Sequence, residues 1–183
     1  MLMPKPDSDV IARREEIIAA MRSIVPGEGV IIDDDELRAY DCDGLMAYRQ
    51  LPMIVVLPKT TQQVSDVLKY CHDNDVKIVP RGAGTGLSGG ALPLADAITL
   101  GLGKFNKILE TDFENRCVVT QPGVTNLALT QEVEHAGFYY APDPSSQIAC
   151  SIGGNVAENS GGVHCLTYGL TTNNVLGAEI VLM

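Results

Sequence analysis

Basic residues are scarce in this sequence. Lysine and arginine together number 13 against 23 aspartates and glutamates, which gives a formal net charge of −10 over 183 residues. A protein that holds phosphates mainly by charge needs a basic face, so general nucleic-acid binding is excluded as an expected function. Local binding of an anion by backbone N–H groups is still open, because it requires no net positive charge.

Paired cysteines and long apolar runs are also missing. The cysteines number five, are widely spaced and form no C-x-x-C pair, which disfavours a disulfide framework and a zinc ribbon. We expect free, buried or half-buried thiols in a reducing compartment. No stretch approaches the roughly 18 apolar residues of a membrane span, and residues 1–10 lack the pattern of a signal peptide. The protein is therefore expected in the cytoplasm, with peripheral association at the inner face of a membrane through partner subunits left open.

The first 50 residues are predicted to form a helical extension. Apolar residues recur at helical spacing over residues 9–25, with Ser8 or Asp9 available as N-cap. The acidic residues 33–36 open a short helical turn, where negative charge suits the helix dipole. The remaining residues, 51–183, are predicted to form the main domain.

The main domain begins with a strand–helix–strand unit. Residues 53–57 form a continuous apolar run, which is typical of a strand buried on both faces. Thr60 and Gln63 match a capping box, and apolar residues then follow at helical spacing over 61–74. Residues 77–80 form the second strand. The spacing predicts a βαβ unit with a parallel pair of strands and a right-handed crossover.

The rest of the chain mixes strands, one helix and loops. Strands are predicted over 98–102 and 117–121, and a helix over 126–136 that ends at Gly137. Residues 141–157 are expected to be rich in loops. Elements that alternate without strict order favour an α+β fold.

The last residues, Leu176–Met183, are predicted to form an apolar strand. Because a domain seldom ends inside such a strand, we expect the chain to be the front part of a longer protein. An unpaired strand edge also offers a route to self-association.

A glycine-rich stretch, residues 80–90, directly follows the second strand of the βαβ unit. Residues 84–89 formally match G-x-G-x-x-G, but Pro93 argues against the long helix that a Rossmann dinucleotide site requires, and no Walker A sequence is present. Glycine permits positive φ and close backbone approach, and successive N–H groups form an anion nest. Thr85 and Ser88 add hydroxyl donors and Arg81 adds one positive charge. The stretch is therefore predicted to bind a pyrophosphate; the alternative is an ordinary connecting loop.

A second glycine patch follows at residues 153–157, where a sharp bend is expected. The side-chain amides of Asn155 and Asn159 both donate and accept, as reading a flavin or adenine edge requires. Ordinary turn chemistry is the alternative interpretation.

Two motifs together resemble a known family. The Pro80–Gly86 stretch, and the Pro142–Ser146 and Ser151–Gly162 segments, are similar to the flavin-contacting segments of the FAD domain of the vanillyl-alcohol oxidase and p-cresol methylhydroxylase type. Residues 168–171 and the strand at 175–182 fit as well. The resemblance covers about residues 40–183, and its nearest branch is the group of glycolate oxidase D-subunits and FAD-linked D-2-hydroxyacid dehydrogenases.

The resemblance implies an α+β FAD-binding domain of the p-cresol methylhydroxylase type, with a small parallel βαβ subdomain and a larger mixed or antiparallel one, incomplete at its C-terminal end. FAD is expected to be non-covalent, because residues 80–90 contain no histidine for a covalent link. The family's C-terminal cap domain, which supplies most substrate and catalytic residues, has no counterpart in these residues. The positions that would contact FAD are Pro80, Arg81, Gly82, Ala83, Gly84, Thr85, Gly86, Gly90, Pro122, Gly123, Pro144, Ser145, Gly153, Gly154, Asn155 and Asn159.

The activity implied by the resemblance is oxidation of a 2-hydroxy acid, of the glycolate or D-lactate type, to the 2-oxo acid. Electrons would pass to a non-nicotinamide acceptor, such as an iron–sulfur subunit or a quinone. Of the three histidines, His72 and His135 are expected on helix faces, whereas His164 is a weak catalytic candidate. Two alternatives stay open: another oxidoreductase of the same fold, or a non-catalytic flavin- or nucleotide-binding fragment or interaction module. No metal site is predicted.

Overall fold

A computed structural model describes residues 3–183. The chain divides into two compact units. The first unit runs to Lys104 and also includes Ile180–Met183, and the second unit is Phe105–Glu179. Within the described residues, no helix combines the length and the apolar character needed to cross a bilayer.

The first unit is built on a four-stranded sheet with the order β1-β2-β4-β3. Its strands are β1 (Val30–Ile31), β2 (Ile54–Val56), β3 (Lys77–Arg81) and β4 (Ala97–Gly101). β1 is antiparallel to β2, while β2 and β3 both lie parallel to β4. Every residue of β2 and β4 is buried, which explains why Thr99 is the only polar side chain in these two strands.

The helices of the first unit are α1 (Ser8–Ala12), α2 (Arg14–Ile24), α3 (Asp34–Leu37) and α4 (Thr61–Asp73). The buried faces of α2 and α4 meet the sheet in one core that contains Ile17, Met21, Val67 and Ile98. Each such side chain stabilises the fold by roughly 1.5–3 kcal/mol.

The predicted βαβ unit is confirmed as β2–α4–β3, with one refinement. Its two strands are parallel but not adjacent, because β4 lies between them. The Thr60 hydroxyl caps α4 by accepting from the Gln63 amide at 3.2 Å. The Gln63 side chain accepts from the Lys59 amide instead of that of Thr60, so the predicted capping box is closed one residue earlier.

The predicted N-terminal helix is present but breaks at Arg13 into α1 and α2. The predicted cap, Ser8 or Asp9, was wrong: Asp7 is the N-cap, and its carboxylate accepts from the Asp9 amide at 2.9 Å. Asp7 is held there because its own amide donates to Asp96 Oδ2 at 2.8 Å. The acidic turn at 34–37 is confirmed as α3.

The second unit holds a two-stranded antiparallel sheet and four short helices. The elements are β5 (Ile108–Asp112), β6 (Cys117–Thr120), α5 (Asn126–Val133), α6 (Ile152–Glu158), α7 (Cys165–Tyr168) and α8 (Thr171–Asn174). The strand predicted over 117–121 is confirmed as β6. The helix predicted over 126–136 is confirmed with its last turn in 3₁₀ form, and Gly137 ends it with a φ of 80°.

The loop expectation for residues 141–157 was wrong at its end, because α6 begins at Ile152. The Ser151 hydroxyl caps this helix by accepting from the Gly154 amide at 3.3 Å. The amides of Ile152 and Gly153 donate to the carbonyls of Val124 and Pro122 at 2.9 and 2.8 Å. These bonds offset the poor helix propensity of two consecutive glycines, so the chain continues as a helix where a sharp bend was expected.

The strand predicted over Leu176–Met183 was also wrong, since these residues form no strand. Apolar character alone does not make a strand; the backbone needs a neighbouring strand to bond with. Leu176, Ile180 and Leu182 are instead largely exposed.

The free state expected for the thiols is confirmed: all five cysteines are unpaired, and each is buried or half-buried.

Candidate functional site

The glycine-rich stretch of the first unit follows the carboxyl end of β3, beside β4 in the parallel part of the sheet. The Leu102 amide donates to the Arg81 carbonyl at 2.9 Å, so the ladder between the two strands continues up to the start of the loop. Ligands of open α/β sheets bind at this edge, beyond the carboxyl ends of parallel strands.

The loop presents unpaired backbone donors. Within the described residues, the amides of residues 82–90 donate no hydrogen bond, and the hydroxyls of Thr85 and Ser88 have no partner. Gly84 and Gly89 adopt φ values of 72° and 77°, which L side chains rarely adopt. Residues 82–95 contain no acidic side chain. A cradle of free N–H and O–H donors fits the pyrophosphate of a dinucleotide.

The Arg81 guanidinium, expected to add positive charge at the strand end, lies inside the protein. Only 9% of the residue is exposed. Its Nη1 atom donates to the Cys42 carbonyl at 2.7 Å and more weakly to the Ala91 carbonyl at 3.4 Å. The guanidinium carbon lies 5.6 Å from the centre of the Tyr40 ring. It also fills the space where a side chain at Gly84 would lie.

In the second unit, four predicted site residues lie together. The Gly153 amide bonds to the Pro122 carbonyl at 2.8 Å, and Gly123 and Gly154 are the adjoining residues. A Cβ atom at Gly153 would lie 2.7 Å from the Pro122 Cβ, so only glycine permits this approach. The start of α6 and the turn at 122–123 therefore form one packed structure.

The Asn155 side chain faces the protein interior and not solvent. It is 2% exposed; its Oδ1 accepts from Asn126 Nδ2 at 3.0 Å, and its Nδ2 donates to Cys150 Sγ at 3.2 Å. Asn126 Nδ2 also donates to the Pro142 carbonyl at 2.8 Å. This amide network ties α5, α6 and the 142–146 segment together. Asn126 was missed by sequence reasoning, although it lies on the apolar stripe with Leu129 and Val133, where a polar residue signals a buried partner.

The other predicted positions of the second unit lie nearer the surface. Ser145 is exposed, and Pro144 is half-buried with its carbonyl accepting from the Gln147 amide at 2.9 Å. Asn159 ends α6 in the left-handed conformation with a φ of 50°. Its Oδ1 atom accepts from the amide and the hydroxyl of Thr172 at 3.0 and 2.9 Å.

His164 is paired with a carboxylate that sequence reasoning did not single out. Its Nδ1 atom lies 2.8 Å from Asp143 Oδ2, and its amide donates to Asp143 Oδ1 at 3.3 Å. A side chain at Gly162 would overlap Asp143, so glycine is required at this position to bring the two together. Partial burial raises the pKa of the Asp143 carboxyl, but the bonds from His164 more than offset this, and the pKa lies below its usual value of 3.8.

Two tyrosines complete the surroundings of His164. The ring centres of Tyr139 and Tyr168 lie 6.3 and 6.5 Å from the imidazole, and 6.0 Å from each other. Two effects raise the pKa of the Tyr139 phenol: the larger is its hydrogen bond with Tyr168, and the smaller is partial desolvation.

The expectation for the other histidines is confirmed: His72 lies exposed on α4 and His135 on the 3₁₀ turn after α5.

These features define a class: an α+β domain with a loop of unpaired backbone donors at the end of a parallel strand. The profile of the family described as "FAD binding domain" matches residues 52–183. The chain belongs to this family, and the prediction of FAD as the cofactor is confirmed.

Curated relatives support the branch that the motifs indicate. The chain is 54% identical over 175 residues to the glycolate oxidase subunit GlcD of Escherichia coli, which covers 96% of this chain and 34% of the relative. It is 39% identical to the mitochondrial D-2-hydroxyglutarate dehydrogenase of Bos taurus, over 92% of this chain and 31% of the relative. It is 36% identical to the D-lactate dehydrogenase of Anaerostipes hadrus, over 91% of this chain and 35% of the relative. The chain thus spans about a third of the length of these relatives.

Solved structures confirm the fold. An alkyldihydroxyacetonephosphate synthase superposes with a TM-score of 0.76 at 20% identity, over 93% of this chain and 32% of the other. A p-cresol methylhydroxylase superposes with a TM-score of 0.72 at 20% identity, over 87% of this chain and 32% of the other. At this identity the likeness shows the fold alone, and it confirms the predicted FAD-binding domain of the p-cresol methylhydroxylase type.

Proposed function

We propose that this chain is the FAD-binding portion of a flavin-dependent oxidoreductase that converts a 2-hydroxy acid to its 2-oxo acid. The observation that carries the proposal is the loop of unpaired amides at residues 82–90, within a domain of the FAD-binding family. The three relatives described above are named for glycolate, D-2-hydroxyglutarate and D-lactate. All three are 2-hydroxy acids, which supports a substrate of the glycolate or D-lactate type.

We assign the predicted contacts to FAD within each unit separately. In the first, residues 81–86 and Gly90 surround the pyrophosphate, with N–H donors from residues 82–86 and Gly90, and the Thr85 hydroxyl adds a further bond. In the second, Pro122 and Gly123 border the cofactor. Six residues are assigned along the ribityl chain and the ring system: Pro144, Ser145, Gly153, Gly154, Asn155 and Asn159. The buried side chain of Asn155 serves this role by fixing the start of α6.

When bound, FAD supplies the acceptor for the two electrons removed from the carbon that bears the substrate hydroxyl. The chain holds FAD without a covalent bond, because residues 80–90 offer no histidine. His164 is the proposed proton acceptor. Since its Nδ1 atom faces Asp143, the Nε2 atom is left to receive the hydroxyl proton, and Asp143 stabilises the positive charge that results.

The acceptor, partners and location complete the proposal. Electrons leave to a non-nicotinamide acceptor, an iron–sulfur subunit or a quinone, and the name of the Escherichia coli relative as a subunit supports a multi-chain assembly. We place the protein in the cytoplasm, with partner subunits able to bring it to the inner face of a membrane. The exposed apolar residues at 176–183 offer a surface for self-association.

The first test is retention of FAD. The purified chain is mixed with FAD and passed through a gel-filtration column, and the visible absorption spectrum is recorded before and after acid precipitation. The proposal expects a flavin band that travels with the protein and is released into the supernatant by acid. Flavin that stays in the pellet would overturn the non-covalent assignment.

The second test addresses the activity. In a hybrid protein, these 183 residues replace the matching third of the Escherichia coli glycolate oxidase subunit. We expect FAD-dependent reduction of a redox dye with glycolate, D-lactate or D-2-hydroxyglutarate, with the unmodified Escherichia coli subunit as control. A hybrid that retains FAD but oxidises none of the three acids would refute the proposed activity and favour a non-catalytic flavin-binding module.

A further inference from the structure

Residues 40–45 lie against the glycine-rich loop, about forty residues away in sequence but in the same unit. Three contacts connect the two segments: one at the start of the loop, one in its middle and one at its end. We refer to Tyr40 and residues 42–45, which make or support these contacts, as the clasp.

The contact at the start is made by Arg81. Its guanidinium donates to the Cys42 carbonyl at 2.7 Å and lies over the ring of Tyr40. A buried guanidinium loses its hydration, and the clasp offsets part of this loss with one carbonyl and an aromatic face. The last residue of β3 is thereby anchored to the clasp.

Asp43 makes the contact at the end of the loop, and only 4% of this residue is exposed. One carboxylate oxygen accepts from the Leu45 amide at 2.9 Å, and the other accepts from the Ala91 amide at 3.3 Å. A buried carboxylate is costly unless it is hydrogen-bonded, and these two amides supply its bonds. Ala91 directly follows the last of the unpaired amides, so Asp43 fixes the point at which the anion-binding stretch ends.

The contact in the middle is made by Gly44. A Cβ atom there would lie 2.7 Å from the carbonyl oxygens of both Thr85 and Gly86. The clasp backbone therefore packs directly on the backbone of the loop, on the side of those two carbonyls. The opposite arrangement, with the amides facing the clasp, would consume the donors that an anion needs.

We infer that the clasp holds the loop in the conformation that binds pyrophosphate, with Asp43 and Arg81 as positioning residues. This inference rests on the proposed function, since it assigns the loop to the FAD pyrophosphate. A loop fixed in its binding conformation loses less entropy when the anion binds, so its affinity depends on the contacts that fix it. The N-terminal segment, predicted as an extension to the FAD-binding domain, thereby becomes part of its cofactor site.

The test is D43N, which keeps the size of the side chain but places an N–H donor opposite an amide donor. The matched control is D41N, whose carboxylate lies in the same segment but faces Arg49 at 2.9 Å. Hydrogen–deuterium exchange of the cofactor-free chain reports directly on the clasp. We expect faster exchange at the Leu45 and Ala91 amides, which both bond to Asp43, in D43N and no change at these two amides in D41N. Unchanged exchange in D43N would overturn the inference, whether or not the chain retains FAD.

A second measurement separates positioning from a general loss of structure. Flavin fluorescence gives the Kd of each variant for FAD and for riboflavin, which has no pyrophosphate. We expect D43N to weaken FAD binding about tenfold and to leave riboflavin binding unchanged. An equal loss for both flavins would contradict the inference. If the wild-type chain binds neither flavin, the proposed function fails, and the exchange experiment still decides whether the clasp exists.

R81K provides the second variant in case D43N does not fold. It keeps the positive charge but loses the forked geometry that reaches the Cys42 carbonyl. Faster exchange is expected at the amides of Ala91 and Leu102, which are bonded beside this anchor, and R49K is the control. Exchange as slow in R81K as in the wild type would show that the loop holds its conformation without this anchor.

Discussion

His164 donates from its backbone amide to one oxygen of Asp143 while its ring Nδ1 lies 2.8 Å from the other. The pairing joins the 142–146 segment to the start of α7. It links the Pro142–Ser146 motif, predicted from sequence to contact the flavin, to His164, the only catalytic candidate. The pairing predicts one measurable effect for Asp143 and one for His164.

The first signature is acid sensitivity. Because the pKa of Asp143 lies below its usual value of 3.8 in the folded protein, its contribution to stability is present above that value. The contribution is lost as the pH falls through the lower, folded-state pKa. We expect the melting temperature of the wild type to fall more steeply than that of D143N below about pH 4. Parallel curves would show that the pairing contributes nothing to folding.

The second signature is kinetic. In the hybrid protein, H164N keeps a donor facing Asp143 but cannot accept the hydroxyl proton. We expect kcat to fall by about 10²-fold to 10⁴-fold. H135N, which changes an exposed histidine on the same unit, should leave kcat unchanged. A kcat of H164N equal to that of the wild type would remove His164 from the reaction.

Asp96 provides a stability prediction for the first unit. Its side chain is 3% exposed, bonds to Lys77 Nζ at 2.6 Å and accepts from the Asp7 amide. Burial raises the pKa of this carboxyl, and the two partners more than offset the effect. We expect D96N to lower the free energy of unfolding by roughly 1.5–3 kcal/mol.

Urea denaturation of D96N and D73N provides the matched comparison. Asp73 forms an ion pair of the same 2.6 Å length with Lys69, but on the surface. Because solvent screens exposed pairs, D73N should leave the urea midpoint nearly unchanged. Equal losses of unfolding free energy in D96N and D73N would show that burial does not strengthen the contribution of Asp96 to stability.

The buried amide network predicts a third effect on stability. N126A removes the donor to both the Pro142 carbonyl and Asn155 Oδ1. Leaving these acceptors without a partner should cost about 1–3 kcal/mol, and the cavity adds to this. N115A, an exposed asparagine bonded to Asp112, is the control. Similar urea midpoints for wild type and N126A would rule out a structural role for the network.

Local patterns in the sequence were enough to place the βαβ unit and the glycine-rich loop, because hydrophobic periodicity and glycine content depend on neighbouring residues. The bond between Asp43 and the Ala91 amide joins residues 48 positions apart, and no local pattern contains it. Arg81 was assigned a charge for the ligand, but its direction is set by Cys42 and Tyr40, which only the folded chain brings close.

The errors in the second unit have the same origin. Two glycines at 153–154 have poor helix propensity, so a bend was expected; tertiary bonds to Pro122 and Val124 reverse this preference. Leu176–Met183 has the composition of a strand, but the structure forms no strand there. Composition thus located the glycine-rich loop at residues 80–90, whereas the conformation of a segment that depends on distant partners had to come from the structure.

The unpaired amides at residues 82–90 belong to a protein with a formal net charge of −10. Dipoles act over short distances, whereas the overall charge acts over roughly 8 Å at physiological ionic strength. Added salt therefore screens the repulsion between the protein and an anionic cofactor and leaves the amide contacts intact. A site that holds phosphate through lysine and arginine side chains loses affinity as the salt concentration rises. The affinity of this chain for FAD should instead stay equal or increase, and its net negative charge should keep its affinity for nucleic acids and other polyanions low.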